Sequence, residues 1–114
     1  MSDEELKEYV VKDYETLVGK YRSEYLDKFY NMAQTVFDDG ALKKKHKHLM
    51  AAAISITHGC HGCAKKHLQL AFSEGATLEE MAEMEGVVGT IFGGMGFGEN
   101  REYDSFIRFL YPKV

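Results

Sequence analysis

The 114-residue chain has little proline, little cysteine and no long hydrophobic run, and each shortage excludes something. Pro112 is the only proline, so no helix interior is interrupted by one. No stretch approaches the roughly 20 uninterrupted apolar residues of a membrane-spanning helix, so we expect no membrane association. The acidic start at residues 1–5 lacks the basic and then apolar layout of a signal peptide. Cys60 and Cys63 are too few for a secreted disulfide scaffold, and such a pair in a chain without a leader predicts a cytoplasmic protein.

Positive charge is also scarce. Fourteen basic residues against eighteen acidic ones give a net charge of −4, which argues against a nucleic-acid partner. The one basic cluster, residues 43–48, is interpreted as a solvated helix start. A chain that is 45% hydrophobic and 28% charged is typical of a folded globular protein, and its length predicts a single domain over residues 1–114.

Apolar residues recur at helical spacing along most of the chain, which predicts an all-α fold of about six helices. No stretch alternates with period two for long enough to form a strand. The predicted helices cover residues 4–21, 23–37, 42–57, 60–74, 99–110 and a segment from a capping box at Thr77 to about Phe92. Residues 93–98 are predicted to form a glycine-rich loop.

The helix ends and faces give further expectations. Gly40 is suited to a left-handed cap after the second helix. Residues 42–57 are almost wholly apolar after His48, which predicts a helix buried on every side, either central in the fold or covered by another subunit. Phe72, Ile91 and Phe92 are predicted to point inward. Several apolar faces and short connections favour an oligomer.

Chemistry concentrates in the segment from Cys60 to His67. In a helix, Cys60, Cys63 and His67 share one face, and Cys63 and His67 are neighbours one turn apart. The cysteines follow a break at His58-Gly59, where unpaired amides at the helix start favour a thiolate. A thiolate attacks peroxide or disulfide sulfur, the second thiol can close a disulfide, and His67 is the natural base.

Other interpretations of the same residues remain open. The cysteines could be small core residues, and His67 a satisfied polar side chain. A zinc site would need four ligands, for example the two cysteines, His67 and one of His48, His58 and His61. The usual spacings of zinc fingers are absent, so such a site would have to be assembled across helices.

The Cys60-x-x-Cys63-x-x-x-His67 block and its flanking helices resemble the alkylhydroperoxidase D-like, carboxymuconolactone decarboxylase superfamily. The resemblance extends over about residues 25–95 and includes segments 37–42, 47–55 and 71–80. It implies an all-helical fold, an obligate trimer or hexamer, and thiol-dependent peroxide reduction in the branch that carries the cysteine pair. The decarboxylase branch generally lacks that pair.

The same resemblance implies roles for individual residues. It makes Cys63 the thiol that attacks peroxide and Cys60 the resolving thiol, although the helix-end argument favours Cys60 as the attacker. His67 matches the histidine of the family's proton relay. The family usually has a glutamate twelve residues before the first cysteine, and here that position is His48. Either His48 replaces the glutamate, or Glu85 serves from a neighbouring helix, or peroxidase activity is weak or lost.

We therefore expect an alkylhydroperoxidase-like oxidoreductase with Cys60, Cys63, His67 and His48 as its catalytic residues. Its partners would be a small hydroperoxide and a thiol electron donor, which could be a protein. No cofactor and no metal are expected. Two rival functions are a lactone enzyme like carboxymuconolactone decarboxylase, with incidental cysteines, and a module that binds metal or senses redox state through the same thiols.

Overall fold

The computed structural model describes residues 2, 4–5, 17–92 and 103–113, with side chains along the first long helix described from residue 21 onward. Its helices are α1 (Leu17–Phe37), α2 (Lys44–Thr57), α3 (His61–Ser73), α4 (Leu78–Phe92) and α5 (residues 103–110). These residues contain no strand, so the all-α prediction is confirmed, with five such helices rather than about six. The predicted loop at 93–98 and most of the predicted helix 4–21 lie outside the described residues.

Two compact units divide the chain, Met1–Val36 and Phe37–Val114. In the first unit, α1 runs through residue 22 without interruption, so the boundary predicted there is wrong. No proline occurs near residue 22, and Gly19 lies within the helix without breaking it, so the backbone has no reason to leave the helix at residue 22. Large side chains of α1, including Tyr25 and Phe29, are exposed. None of the described helices is both long enough and apolar enough to cross a membrane.

The core of the second unit is formed by one face of each of α2, α3, α4 and α5. α2 packs against both α3 and α4. The largest fully buried side chains are Ile56, Leu68, Met81 and Tyr103, and small alanines of α2 and α3 fill the space between helices. A buried aliphatic side chain of this size contributes roughly 1.5–3 kcal/mol, so these residues hold the four helices together.

Turns between the helices follow the sequence signals closely, with one exception. Gly59 and Gly75 have φ values of +73° and +91°, which side chains rarely adopt, and each ends a helix. The capping box is confirmed: the Glu80 amide donates to Thr77 Oγ1 at 3.1 Å, and the Thr77 amide donates to Glu80 Oε1 at 2.9 Å. Gly40 does not have a positive φ, so the left-handed cap predicted there is wrong.

Several side chains predicted to be buried are exposed. Ile54 of α2 is 60% exposed, so this helix is not buried on every side within the chain, and the alternative of cover by another subunit stays open. Ile91 of α4 is 79% exposed, and Phe92 and Phe72 are also exposed. The periodicity of a helix identifies its apolar residues but not where the stripe leaves the core, and here the last turn of α4 extends beyond it.

Candidate functional site

A disulfide between Cys60 and Cys63 lies at the start of α3. Gly59 turns the chain after α2, Cys60 is the residue immediately before α3, and Cys63 lies in its first turn. The Cys60 amide donates to Ser55 O at 2.9 Å, which ties this turn to the end of α2. The two Cα atoms are 5.4 Å apart, Cys63 is exposed and Cys60 is partly buried. The pair is therefore in its oxidised form and open to solvent at Cys63.

Two imidazoles meet beside this helix. His67 follows Cys63 by one turn of α3, and His48 comes from α2. Their Nδ1 atoms are 3.0 Å apart. Since one Nδ1 must donate to the other, the accepting ring is neutral and the pair carries at most one extra proton. The structure thus places His48, rather than Glu85, in hydrogen-bond contact with His67.

Phe37 stacks on both imidazoles. Its ring centroid lies 4.5 Å from that of His48, with an interplanar angle of 12°, and 5.3 Å from that of His67, with an angle of 18°. The two imidazole centroids are 5.2 Å apart. Three nearly parallel rings therefore form one cluster, which we call the three-ring stack (Phe37, His48 and His67).

Burial and nearby lysines keep the two imidazoles neutral. Desolvation lowers the pKa of His48 first of all, and Lys44 and Lys66 lower it further while Glu74 raises it. Desolvation also lowers the pKa of His67, with smaller contributions from His48 and Lys66. Both side chains are accordingly bases without a charge near pH 7.

One nitrogen of His48 is buried without a hydrogen-bond partner in the part of the chain that the structure describes. The side chain is 3% exposed, and its Nε2 has no hydrogen-bond partner among the described residues. A buried nitrogen in that state costs about 1–3 kcal/mol. This cost is set against the hydrogen bond that the other nitrogen of His48 makes to His67.

A second pair of polar rings lies between the cysteines and α5. The Nδ1 of His61, the residue after Cys60, is 2.6 Å from the hydroxyl oxygen of Tyr103. Tyr103 is fully buried, and the two ring centroids are 5.8 Å apart. This contact attaches the start of α3 to α5.

Glu85 lies elsewhere in the second unit. It hydrogen-bonds to Asp104, and desolvation together with that neighbouring carboxylate raises the pKa of Glu85 to about 7. Both residues line a cavity of about 310 Å³ whose other walls include Met81, Ile107 and Tyr111. Glu85 is thus a partly buried carboxyl beside a second acid.

The sequence predicts Cys60, Cys63, His67 and His48 as site residues, and the structure groups them as a disulfide and a hydrogen-bonded imidazole pair. The sequence did not predict that Phe37 and Tyr103 would contact these residues. Each residue comes from a helix far from the cysteines in the sequence, so its sequence distance from them does not predict a contact. Within the described parts of the chain, no three histidine, cysteine or acidic side chains are grouped so that they could hold a metal ion.

The sequence is similar to one protein family and to two curated proteins. Residues 23–97 match the carboxymuconolactone decarboxylase family. Over 57 residues, 50% of this chain and 51% of the relative, the sequence is 40% identical to uncharacterized protein 4 in the cox locus of Paracoccus denitrificans. Over 71 residues, 62% of this chain and 41% of the relative, it is 32% identical to the alkyl hydroperoxide reductase AhpD of Corynebacterium kroppenstedtii. These matches span about half or less of each relative. No solved structure matches the chain significantly.

Proposed function

We propose, from the premise that this chain belongs to the carboxymuconolactone decarboxylase family, that it reduces hydroperoxides with its Cys60–Cys63 pair. The observation that carries the proposal is the disulfide one helical turn from a hydrogen-bonded pair of neutral imidazoles. A redox-competent pair of sulfurs and a base are the two parts that thiol-dependent peroxide reduction needs. The relative named alkyl hydroperoxide reductase favours the same chemistry.

The reaction cycle balances with a dithiol and one peroxide. A thiolate attacks the terminal oxygen of the hydroperoxide, the O–O bond breaks, the alcohol leaves with a proton, and a sulfenic acid forms. The second thiol attacks that sulfur, releases water and forms the disulfide. A thiol donor then returns two electrons through two thiol–disulfide exchanges. The bonded cysteine pair corresponds to the oxidised end of this cycle.

Proton transfer runs through the two imidazoles, His67 and His48, which share a hydrogen bond. His67 Nδ1 faces His48, so its Nε2 is the nitrogen left to take the proton of a thiol. This role requires that His67 Nδ1–H donates to His48 Nδ1, which places the proton of neutral His48 on its buried Nε2. His48 can accept a proton from His67 but supplies no negative charge. The relay therefore deprotonates a thiol without the ion pair that a carboxylate would add.

Exposure and position support a division of roles between the cysteines. Cys63 is exposed to an incoming peroxide and is the neighbour of His67 on α3. Cys60 is partly buried and precedes the helix, where it can close the disulfide. We accordingly propose Cys63 as the attacking thiol and Cys60 as the resolving thiol, as the family resemblance also implies.

A single-turnover experiment tests the proposal. Fully reduced protein receives one equivalent of hydroperoxide, and we expect a loss of two daltons by mass spectrometry as two thiols become one disulfide. Cys60→Ser should stop at the sulfenic acid, Cys63→Ser should not react, and His67→Asn should react more slowly. His58→Asn, at an exposed histidine just after α2, is the matched control. A double cysteine variant with full turnover would refute the proposal.

Because the family is named after carboxymuconolactone decarboxylase, decarboxylation of a lactone is the second candidate function. It predicts activity on a carboxylated lactone that survives alkylation of both cysteines, whereas the peroxidase loses all activity. A metal-binding or redox-sensing module is separated by metal analysis of reduced protein, because stoichiometric zinc would replace the peroxidase proposal. We further propose a cytoplasmic homo-trimer or homo-hexamer with a thiol electron donor and no nucleic-acid partner.

A further inference from the structure

We propose that Phe37 is a positioning residue of the proton relay, whose ring holds the two imidazoles in register and stabilises the imidazolium formed on His67. The inference rests on the proposed function, because it assigns a role in the same thiol deprotonation. It goes beyond that function by giving the relay a source of charge stabilisation that involves no carboxylate.

Geometry is the first argument for this role. The Phe37 ring lies nearly parallel to both imidazoles, with centroid distances of 4.5 Å to His48 and 5.3 Å to His67. A cation within about 6 Å of an aromatic centroid, over its face, is attracted by the negative face of the ring. Either imidazole of the hydrogen-bonded pair therefore lies within range of the same ring when it carries the proton.

The surrounding charges provide the second argument. Lys44 and Lys66 act against a proton on the pair. Among the described acids only Glu74 favours a proton on His48, and it forms an ion pair with Lys44 at 3.8 Å. Among the described residues, no carboxylate acts to raise the pKa of His67. The face of Phe37 is thus the described group best placed to favour an imidazolium on His67.

The ring has two opposing effects, and they can be separated by substitution. Its bulk excludes water and so disfavours the charged form, while its negative face favours that form. Phe37→Leu keeps most of the bulk and removes the negative face, so we expect the pKa of His67 to fall. Phe37→Ala admits water, so we expect the pKa of His67 to rise toward the ordinary value. A residue with only a structural role would not shift the pKa in opposite directions in these two variants.

Histidine NMR titration of the disulfide form measures this directly, since no thiol titrates in that state. His67 is assigned by its loss in His67→Asn. We expect a fall of about half a pKa unit in Phe37→Leu and a rise in Phe37→Ala, with no shift in Phe109→Leu, which alters an exposed phenylalanine of α5. In reduced protein, Phe37→Leu should lower kcat about two- to fivefold and leave KM unchanged.

Two outcomes would overturn the inference. One is an unchanged His67 pKa in Phe37→Leu, and the other is a shift in the same direction in both Phe37 variants, which would leave burial as the whole effect. The titration does not depend on turnover, so a failure of the Phe37 role can be distinguished from a failure of the proposed peroxidase function. Opposite shifts in a protein that does not consume peroxide would refute the peroxidase function and retain the effect of Phe37 on the imidazolium.

Discussion

Replacing His48 by glutamate should strengthen the relay. The substitution places a carboxylate where His48 Nδ1 now lies 3.0 Å from His67 Nδ1. Opposite charges about 4 Å apart attract by about 4 kcal/mol at an effective dielectric constant of 20. Part of that energy is lost in desolvating the carboxylate, because the position is 3% exposed. A remainder of about 1.4–2.7 kcal/mol raises the pKa of His67 by about one to two units.

A protonated His67 would in turn stabilise the Cys63 thiolate. We expect the thiol pKa of His48→Glu to fall, and the rate of alkylation by iodoacetamide at pH 6.5 to rise about tenfold over the parent protein. The second-order rate constant for peroxide should rise with it. Both are measured on reduced protein across pH 5–9, after circular dichroism has shown the helices to be intact.

His48→Gln is the matched control, since its amide oxygen can accept the same hydrogen bond from His67 but carries no charge. It should leave the thiol pKa close to that of the parent protein. Equal thiol pKa values in the glutamate and glutamine variants would refute the reasoning, because charge at position 48 would then have no effect on the relay.

Three further predictions concern stability and assembly. Thr77→Ala removes the Oγ1 acceptor of the Glu80 amide and should cost about 1 kcal/mol, measured by urea unfolding at pH 7. Because folding raises the pKa of Glu85 from 4.5 to about 7, its ionisation in the folded protein costs stability above pH 7 and none below pH 4.5. Glu85→Gln should therefore stabilise the protein by about 1–3 kcal/mol at pH 8.5, but not at pH 4. Ile54→Glu places a charge on the exposed face of α2 and should reduce the oligomer size in analytical ultracentrifugation.

Each of these predictions has an outcome that contradicts it. Thr77→Ser should keep the cap, so equal losses in the serine and alanine variants would mean that the hydroxyl is not responsible. An effect of Glu85→Gln that does not change with pH would exclude ionisation as its cause. A parent protein that sediments as a monomer would remove the reason for the Ile54 substitution.

Much of the fold could be predicted because local signals decide it. Helical spacing located α2, α3 and α4 within a few residues, and the capping box at Thr77 is present as expected. The predictions were wrong where a backbone conformation or the burial of a side chain depended on packing against other helices. Gly40 can adopt a left-handed conformation but does not need to, and Ile91 continues an apolar stripe past the end of the core.

The sequence by itself determined which candidate residues lie together at the start of α3. Cys63 and His67 lie one turn apart on α3 because an α-helix has 3.6 residues per turn, and Cys60 is the residue just before that helix. No distant contact is needed to bring these three residues near one another. Only the tertiary structure decided which groups surround them. The meeting of His48 with His67, the stacking of Phe37 on both and the burial that lowers the pKa values all depend on how separate helices pack. Packing is set by side chains far apart in the chain, and a local pattern does not encode it.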